Sequence, residues 1–264
     1  MLVLASKHIS MKKSYLSIQL WSWMNAVVSF DLYTKKIIKD KKSKYDDKIL
    51  KEQEAKNDPR VLNLIGEMFF NGDYVDQNYA TSASYFEKAA QQDYTSALLN
   101  LGIMYEEGYF FPQDLKKANE FFMKAHELGD DQGTYFIAVN LQYGHGITQD
   151  INKSIDFYLR AFEINPQNFK ALESAMQVSL SVEFFDKAEQ VCRKLVQYNP
   201  NNSSYWITYK QITAYNKNYK KTLLAISELE RINGESTSLK LEKSAILQEL
   251  NDIENAIKIL VEAH

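Results

Sequence analysis

Apolar residues along this chain recur at the spacing of an α-helix, and polar loops separate short helical stretches. Leu98, Leu101 and Tyr105 lie three and four residues apart, so they share one face of a predicted helix that ends at Gly108. A second apolar stretch with helical spacing, 118–125, follows a short loop. Nine glycines and four prolines leave little room for the turns of a β-protein, so the pattern predicts an all-α chain.

This pair of helices is repeated with a fixed step of 36 residues. Gly66, Gly102 and Ala138 stand in register, and their small side chains predict a close approach between the two helices of each pair. The same step relates three further sets: Gly72, Gly108 and Gly144; Asn78, Asp114 and Asp150; Ala89, Ala125 and Ala161. The second glycines predict the end of each first helix, and the Asn and Asp residues predict the N-cap of each second helix. A fixed period of this length is typical of a stacked helical-repeat array.

Beyond residue 165 the step shortens to 34 residues. Asn165–Pro166 recurs as Asn199–Pro200, and Ala188, Thr222 and Ala256 follow the same spacing. We therefore expect three more divergent helix pairs, six in all, with a change of curvature midway along the array. The outer face of the last pair is polar, which predicts a cap on the stack: Glu249, Asn251, Asp252, Glu254, Asn255 and Lys258.

The first three blocks carry a recognisable motif. Its parts are Leu101–Gly102–Tyr105–Gly108, Gly144–Gly146–Ile147–Asp150 and Tyr85–Phe86–Lys88–Ala89–Ala90. This motif resembles the Sel1-like repeat, a branch of the tetratricopeptide superfamily, and the later blocks resemble ordinary tetratricopeptide repeats. The resemblance implies an all-α fold, a right-handed α-solenoid of antiparallel helix pairs. Tyr74 and Phe110 depart from the motif, because they stand where the third block has Gly146.

We divide the chain into three regions on this basis. Residues 1–58 form an N-terminal helical region that is either a degenerate capping repeat or a membrane- or signal-like segment. Residues 59–164 form three Sel1-like repeats, and 165–264 form three degenerate tetratricopeptide-like repeats.

The uncharged stretch 14–30 of the N-terminal region is open to several interpretations. Leu16, Leu20, Trp23 and Val27 continue a helical face, which favours a buried helix of a degenerate first repeat. A transmembrane helix would need about 20 strongly apolar residues, and polar side chains interrupt this stretch. A secretory signal beginning at Met11, or an interfacial helix beside the following lysines, would also account for it. Membrane contact through 14–30 is therefore considered but not favoured.

Charge and candidate chemistry narrow the function. Residues 1–58 carry 12 Lys and 7 Asp or Glu, whereas the rest of the chain has a net charge of −8. The rest of the chain also lacks the basic stripe that is typical of a nucleic-acid-binding protein. The single cysteine, Cys192, excludes an intrachain disulfide framework and lies on an apolar helix face, so we expect a core residue. Four scattered histidines have no zinc-ligand spacing, and Ser10 and Lys13 lack the companion motifs of a serine–lysine enzyme. We predict no enzyme activity, no cofactor and no metal.

The resemblance implies where a partner protein would bind. In such arrays the first helix of each pair lines the concave side, and its positions outside the core form the recognition surface. The candidate contacts are Phe70, Asn71, Leu99, Ile103, Glu106, Glu107, Tyr135, Val139, Gln142, Tyr143, Gln177 and Tyr215, with Asn63, Glu67, Lys170, Glu173, Ile207 and Gln211 at related positions. Aromatic anchors surrounded by polar groups suit a protein partner.

These observations predict a non-catalytic protein–protein interaction module. One alternative implied by the resemblance is a bacterial immunity protein that neutralises a cognate secreted toxin or effector. A second alternative is a membrane-anchored adaptor or assembly factor. The asparagine-, lysine- and isoleucine-rich composition is compatible with a bacterial source. A cytoplasmic location is favoured over a periplasmic or membrane-associated one.

Overall fold

The computed structural model describes residues 51–52, 54–73 and 75–263, and the predictions made for 1–50, including the stretch 14–30, lie outside these residues. The described part contains twelve helices and no strand. The helices are α1 (Pro59–Asn71), α2 (Tyr79–Ala90), α3 (Thr95–Glu107), α4 (Leu115–Glu127), α5 (Asp131–Tyr143), α6 (Ile151–Ile164), α7 (Phe169–Ser181), α8 (Phe185–Tyr198), α9 (Ser203–Tyr215), α10 (Tyr219–Asn233), α11 (Thr237–Glu249) and α12 (Ile253–Glu262).

Each helix packs mainly against the helices before and after it in the sequence. The odd-numbered helices are the first helices of the six pairs, and the even-numbered helices are the second helices. This arrangement is the predicted all-α, right-handed solenoid of antiparallel helix pairs, and the fold prediction is confirmed.

Glycine and a large aromatic ring pack together inside the first two pairs. A Cβ atom at Gly66 would lie 2.6 Å from the ring of Phe86, and one at Gly102 would lie 2.4 Å from the ring of Phe122. Both rings are fully buried. Because real Cβ atoms do not approach other atoms so closely, the absence of a side chain at these positions lets the two helices come together. The predicted role of the small residues is confirmed.

The loop within each of the first three pairs is held by the same hydrogen bonds. The N-caps Asn78, Asp114 and Asp150 accept backbone N–H groups of the second helix, as predicted. Three glutamines that the sequence pattern did not single out add a second bond. The side-chain amides of Gln77, Gln113 and Gln149 each donate to the last turn of the first helix, at 2.8 Å from the carbonyl oxygens of Phe70, Glu106 and Gln142. These bonds satisfy carbonyl groups that a helix end leaves unpaired.

The second of these loops contains a phenylalanine in a conformation that favours glycine. Gly146 of the third loop has φ 66°, and a Cβ atom there would lie 2.5 Å from the backbone carbonyl of Leu115. Phe110 occupies the equivalent position with φ 63°, and its ring is 57% exposed. The departure from the repeat motif therefore leaves the left-handed conformation unchanged at Phe110, at a cost of about 1–2 kcal/mol. Tyr74, in the first loop, lies outside the described residues.

Replacing Phe110 with glycine is expected to raise the free energy of unfolding by about 0.5–1 kcal/mol, because glycine adopts this conformation without strain. Phe110→Ala is the matched control, since it also removes the ring but keeps a Cβ atom in the left-handed region. Urea denaturation of both variants provides the measurement. An equal gain in the alanine variant would show that exposure of the ring, and not backbone strain, sets the difference.

Successive first helices contact each other through polar side chains. The Asn100 side chain donates to Asn63 Oδ1 at 3.0 Å, and the hydroxyls of Tyr135 and Ser174 lie 3.4 Å apart. Ion pairs join second helices, in Lys187–Asp156 and Lys194–Glu163, and also join the first helices α9 and α11, in Lys210–Glu242. We call the side of the stack formed by the first helices the inner side and the side formed by the second helices the outer side.

The inner side becomes more open beyond α5. The fifth residue of each first helix is 4% exposed at Asn63, 5% at Leu99 and 9% at Tyr135, but 41% exposed at Ile207 and 46% at Leu241. The opening coincides with the change from the 36-residue to the 34-residue period, and the predicted change of curvature there stays a prediction.

The end of the stack differs from the predicted polar cap. The polar residues of the last pair are at least partly exposed, but Ile253, Ile257 and Val261 of α12 are also 49%, 56% and 72% exposed. The predicted polar side chains are at least partly exposed, but an apolar row runs between them on this helix, so the surface of the last pair is polar only in part.

Candidate partner-binding surface

The structure divides the twelve predicted contact residues into three groups by exposure. The exposed residues are Asn71, Glu107, Tyr143, Gln177 and Tyr215; the half-buried residues are Phe70, Ile103 and Gln142; the buried residues are Leu99, Glu106, Tyr135 and Val139. Only the exposed group lies fully within reach of a partner.

The buried group occupies the inner side where first helices pack closely. Leu99 is 5% exposed, Val139 is 7% exposed and Glu106 is 6% exposed. The Tyr135 ring lies 5.3 Å from the ring of Tyr158, and its hydroxyl faces Ser174 of the following first helix. These four residues were expected to contact a partner directly, and the structure instead buries them in packing within and between repeats. Sequence spacing places them on the correct face but carries no information on the separation of neighbouring helices.

Exposed apolar and aromatic side chains lie on the first helices α5, α9 and α11, and the exposed Gln177 lies between them on α7. Tyr143 and Tyr215 end their helices and are 55% and 65% exposed, and Ile207 and Leu241 lie one repeat apart on α9 and α11. We name this surface the inner strip and define it as Tyr143, Gln177, Ile207, Gln211, Tyr215 and Leu241. Leu241 was not predicted as a contact residue, although its position 34 residues after Ile207 was a usable signal.

The two exposed tyrosines of the inner strip are held in place by neighbouring rings. Tyr143 stacks on His145 with 5.5 Å between the ring centroids, and the Tyr215 ring lies 3.9 Å from Phe185. Side chains that are already ordered lose less conformational entropy when a partner binds. Contacts with neighbouring rings therefore restrict both tyrosine side chains before any partner binds.

Polar groups border the inner strip near α7. The Lys170 ammonium lies 4.9 Å from the centre of the Tyr135 ring, and burial lowers the pKa of Lys170. The Tyr205 hydroxyl donates to the carboxylate of Glu173. Burial, followed by the hydrogen bond and charge of Glu173, raises the pKa of Tyr205 to about 12, so this hydroxyl stays protonated at neutral pH.

A half-buried carboxylate lies at the other end of the inner side. Glu67 accepts hydrogen bonds from the side-chain amides of Asn63, at 2.9 Å, and Asn100, at 3.5 Å. Burial is the largest influence on this group and raises its pKa above 4.5, whereas the two amides act in the opposite direction. Glu67 therefore links the first two repeats through hydrogen bonds, and the loss of water around its charged carboxylate opposes the stability that these bonds provide.

Replacing Glu67 with glutamine is expected to stabilise the protein at pH 7. Because the folded state holds the Glu67 proton more tightly than the unfolded state, wild-type stability falls as the pH rises from about 4.5 through the folded-state pKa. Glutamine cannot ionise, so the advantage of Glu67→Gln should appear above pH 4.5 and vanish below it. Thermal denaturation between pH 4 and pH 8 measures this, with exposed Glu107→Gln as the control. If the stability advantage of Glu67→Gln over the wild type grew as the pH fell, the raised pKa of Glu67 would be contradicted.

Candidate metal ligands, the cysteine and the surface hollow are the features of the described residues that bear on chemistry. No group of three His, Cys, Asp or Glu side chains among them is placed to hold a metal ion. Cys192 is buried, burial raises the pKa of its thiol to about 12, and its sulfur lies 3.4 Å from the carbonyl oxygen of Tyr205, as expected for a core residue. A surface hollow of about 460 Å³ is lined by Asn152, Glu183, Phe184, Phe185, Asp186, Lys187 and Asn216.

Within the part of the chain that the structure describes, we find no helix whose length and hydrophobicity would let it cross a membrane. The stretch 14–30 lies outside that part.

Comparisons with known proteins agree with the repeat architecture. The Sel1 repeat family model matches residues 59–94, 95–130 and 132–165. The chain therefore carries three Sel1 repeats within residues 59–165, and repeats of this kind generally mediate protein–protein interaction. No curated protein matches the chain.

Two solved structures share the fold at low sequence identity. A Sel1 repeat protein from Oxalobacter formigenes is 20% identical with a TM-score of 0.52, over 80% of this chain and 90% of that chain. The protein c5321, a protective antigen present in uropathogenic Escherichia coli strains, is 19% identical with a TM-score of 0.52, over 78% of this chain and 45% of that chain. At this identity the similarity concerns the fold alone.

Proposed function

We propose that this protein is a non-catalytic interaction module that binds a protein partner on the inner strip. The observation that carries the proposal is the row of exposed side chains on successive first helices, above all Tyr143 and Tyr215. Tyrosine is enriched among the residues that dominate binding energy at protein interfaces. Gln177 and Gln211, between the apolar residues, supply hydrogen-bonding groups of the kind found in such interfaces.

The rigidity of the stack supports the same proposal. The anchors lie at the ends of helices that the core fixes in position, and little of the surface has to become ordered on binding. The inner side is also more open beyond α5, where Ile207 and Leu241 are exposed, so a partner has access to both aliphatic and aromatic groups.

Site-specific photocrosslinking in the source cell tests the proposal. A photoreactive phenylalanine analogue at position 143 or 215 is expected to trap a protein partner. The same analogue at position 224 is the control, because Leu224 is 50% exposed on the second helix α10. Trapping from position 224 and from neither tyrosine position would overturn the proposal.

The number of trapped proteins distinguishes an immunity protein from an adaptor. One abundant product, with a toxin-like protein encoded in the neighbouring gene, would support the immunity role. Several weaker products would support an adaptor. A membrane-anchored factor would also yield crosslinked protein in the membrane fraction, which separates this role from the other two.

A further inference from the structure

The last helix carries an apolar row for which the described residues provide no cover. Ile253, Ile257 and Val261 are each about half exposed or more, and Leu250, three residues before the helix begins, is 39% exposed. Together with the half-buried Leu260 they recur at three- and four-residue steps, which places them on one side of α12. We name Leu250, Ile253, Ile257, Leu260 and Val261 the end face.

Positions equivalent to the end face contact the next repeat elsewhere in the stack. The helices α8, α10 and α12 begin 34 residues apart, so Ile253 corresponds to Phe185 and Tyr219. Phe185 contacts Tyr215 of the following first helix, and the Tyr219 hydroxyl lies 3.4 Å from the carboxylate of Glu249 in the next first helix. Ile253 therefore occupies a position that joins one repeat to the next.

The same correspondence holds for two further positions of the end face. Glu189, which corresponds to Ile257, accepts a hydrogen bond from Asn216 in the next repeat at 2.9 Å. Cys192, which corresponds to Leu260, contacts the backbone of Tyr205 in the next first helix. The end face is thus a repeat-docking surface whose side chains are apolar, which favours burial against another helix.

Charges beside the end face indicate which helix fits. Lys258 is the single basic side chain of α12, and Glu254 lies one turn before it on the same flank. When two copies of α12 pack antiparallel about a two-fold axis, the flank that carries Glu254 and Lys258 in one copy lies beside the same flank of the other copy. Because the two helices run in opposite directions, Lys258 of each copy then lies near Glu254 of the other. A surface that complements itself in this way forms a closed dimer.

The opposite end of the described stack is less suited to the end face. Glu54 lies there, bound to Lys88 and to the hydroxyl of Tyr85, so a charged group would face the apolar row in a head-to-tail contact. We propose that the protein forms a two-fold symmetric dimer through the end face of α12. This dimer leaves the inner strip of each copy available to its own partner.

Sedimentation velocity of the full chain at 1–100 µM tests the dimer. We expect the mass of two chains at the upper concentrations, with a dissociation constant on the order of 10 µM for such a small interface. Ile257→Glu should weaken association at least about tenfold, because a charge would be buried in each copy. Leu224→Glu is the matched control, an exposed leucine on an outer helix, and should leave the association unchanged.

A charge exchange tests the antiparallel pairing. Lys258→Glu alone should weaken association about fivefold, because two attractive contacts become repulsive. Adding Glu254→Lys to the same chain should restore the wild-type value to within about threefold. Circular dichroism checks that each variant keeps its helices.

Three results would overturn the dimer. The first is a wild-type chain that remains monomeric at 100 µM, as it would if residues 1–50 or another protein cover the end face. The second is a loss of association in Leu224→Glu equal to that in Ile257→Glu. The third is a charge exchange that fails to restore association.

Discussion

Replacing Phe122 with alanine is expected to lower the free energy of unfolding by about 3–5 kcal/mol. The ring is fully buried, lies against the backbone of Gly102 and stacks on Phe136 with 4.6 Å between the centroids. Phe136 belongs to the first helix of the next pair, so the ring connects the second and third repeats. Alanine would leave a cavity at this junction. Urea denaturation of the purified variant measures the effect.

Gly102 provides the matched test of this contact. Gly102→Ala is expected to cost about 1–3 kcal/mol, because the new Cβ atom would overlap the Phe122 ring. Once the ring is removed, the same Cβ atom has space, so the combined variant should be more stable than the sum of the two losses predicts. Simple additivity of the two losses would contradict the proposed glycine–ring packing.

Replacing both Tyr143 and Tyr215 with alanine is expected to weaken partner binding at least about 100-fold. Truncation of a central aromatic anchor typically costs about 2 kcal/mol or more, equivalent to about 30-fold for each residue. Both side chains are more than half exposed, so the melting temperature should fall only slightly, through loss of the Tyr215–Phe185 ring contact between repeats. Isothermal titration calorimetry with the trapped partner measures the affinity.

The outer side of the stack supplies the control for this pair. Tyr198 and Leu224 are 53% and 50% exposed and lie on second helices. Their double alanine variant should bind the partner as the wild type does. A loss of affinity in this control as large as that in the tyrosine variant would place the interface outside the inner strip.

The repeat period predicted most of the architecture because each period corresponds to one physical unit. Gly102 and Asp114 recur where a close helix contact and an N-cap require them, and both appear in those roles. Gln113 was missed because its hydrogen bond joins residues at the two ends of a loop, and spacing alone does not show that these ends meet.

The binding surface was less predictable than the fold. Helical spacing places Tyr135 and Tyr143 on the inner side, but only one of them is exposed. Exposure depends on the distance between successive first helices, which the repeat sequence does not specify. The apolar residues from Ile253 to Val261 have the same helical spacing as core residues, so the sequence pattern alone does not show that they are exposed.

Side-chain footprinting of the complex tests the central claim most directly. Hydroxyl-radical oxidation is measured at each residue with and without the bound partner. Our account predicts that oxidation of Tyr143 and Tyr215 falls on binding, whereas oxidation of Tyr198 and Leu224 stays unchanged. Protection of Tyr198 and Leu224, with Tyr143 and Tyr215 still oxidised at the rate of the free protein, would contradict it.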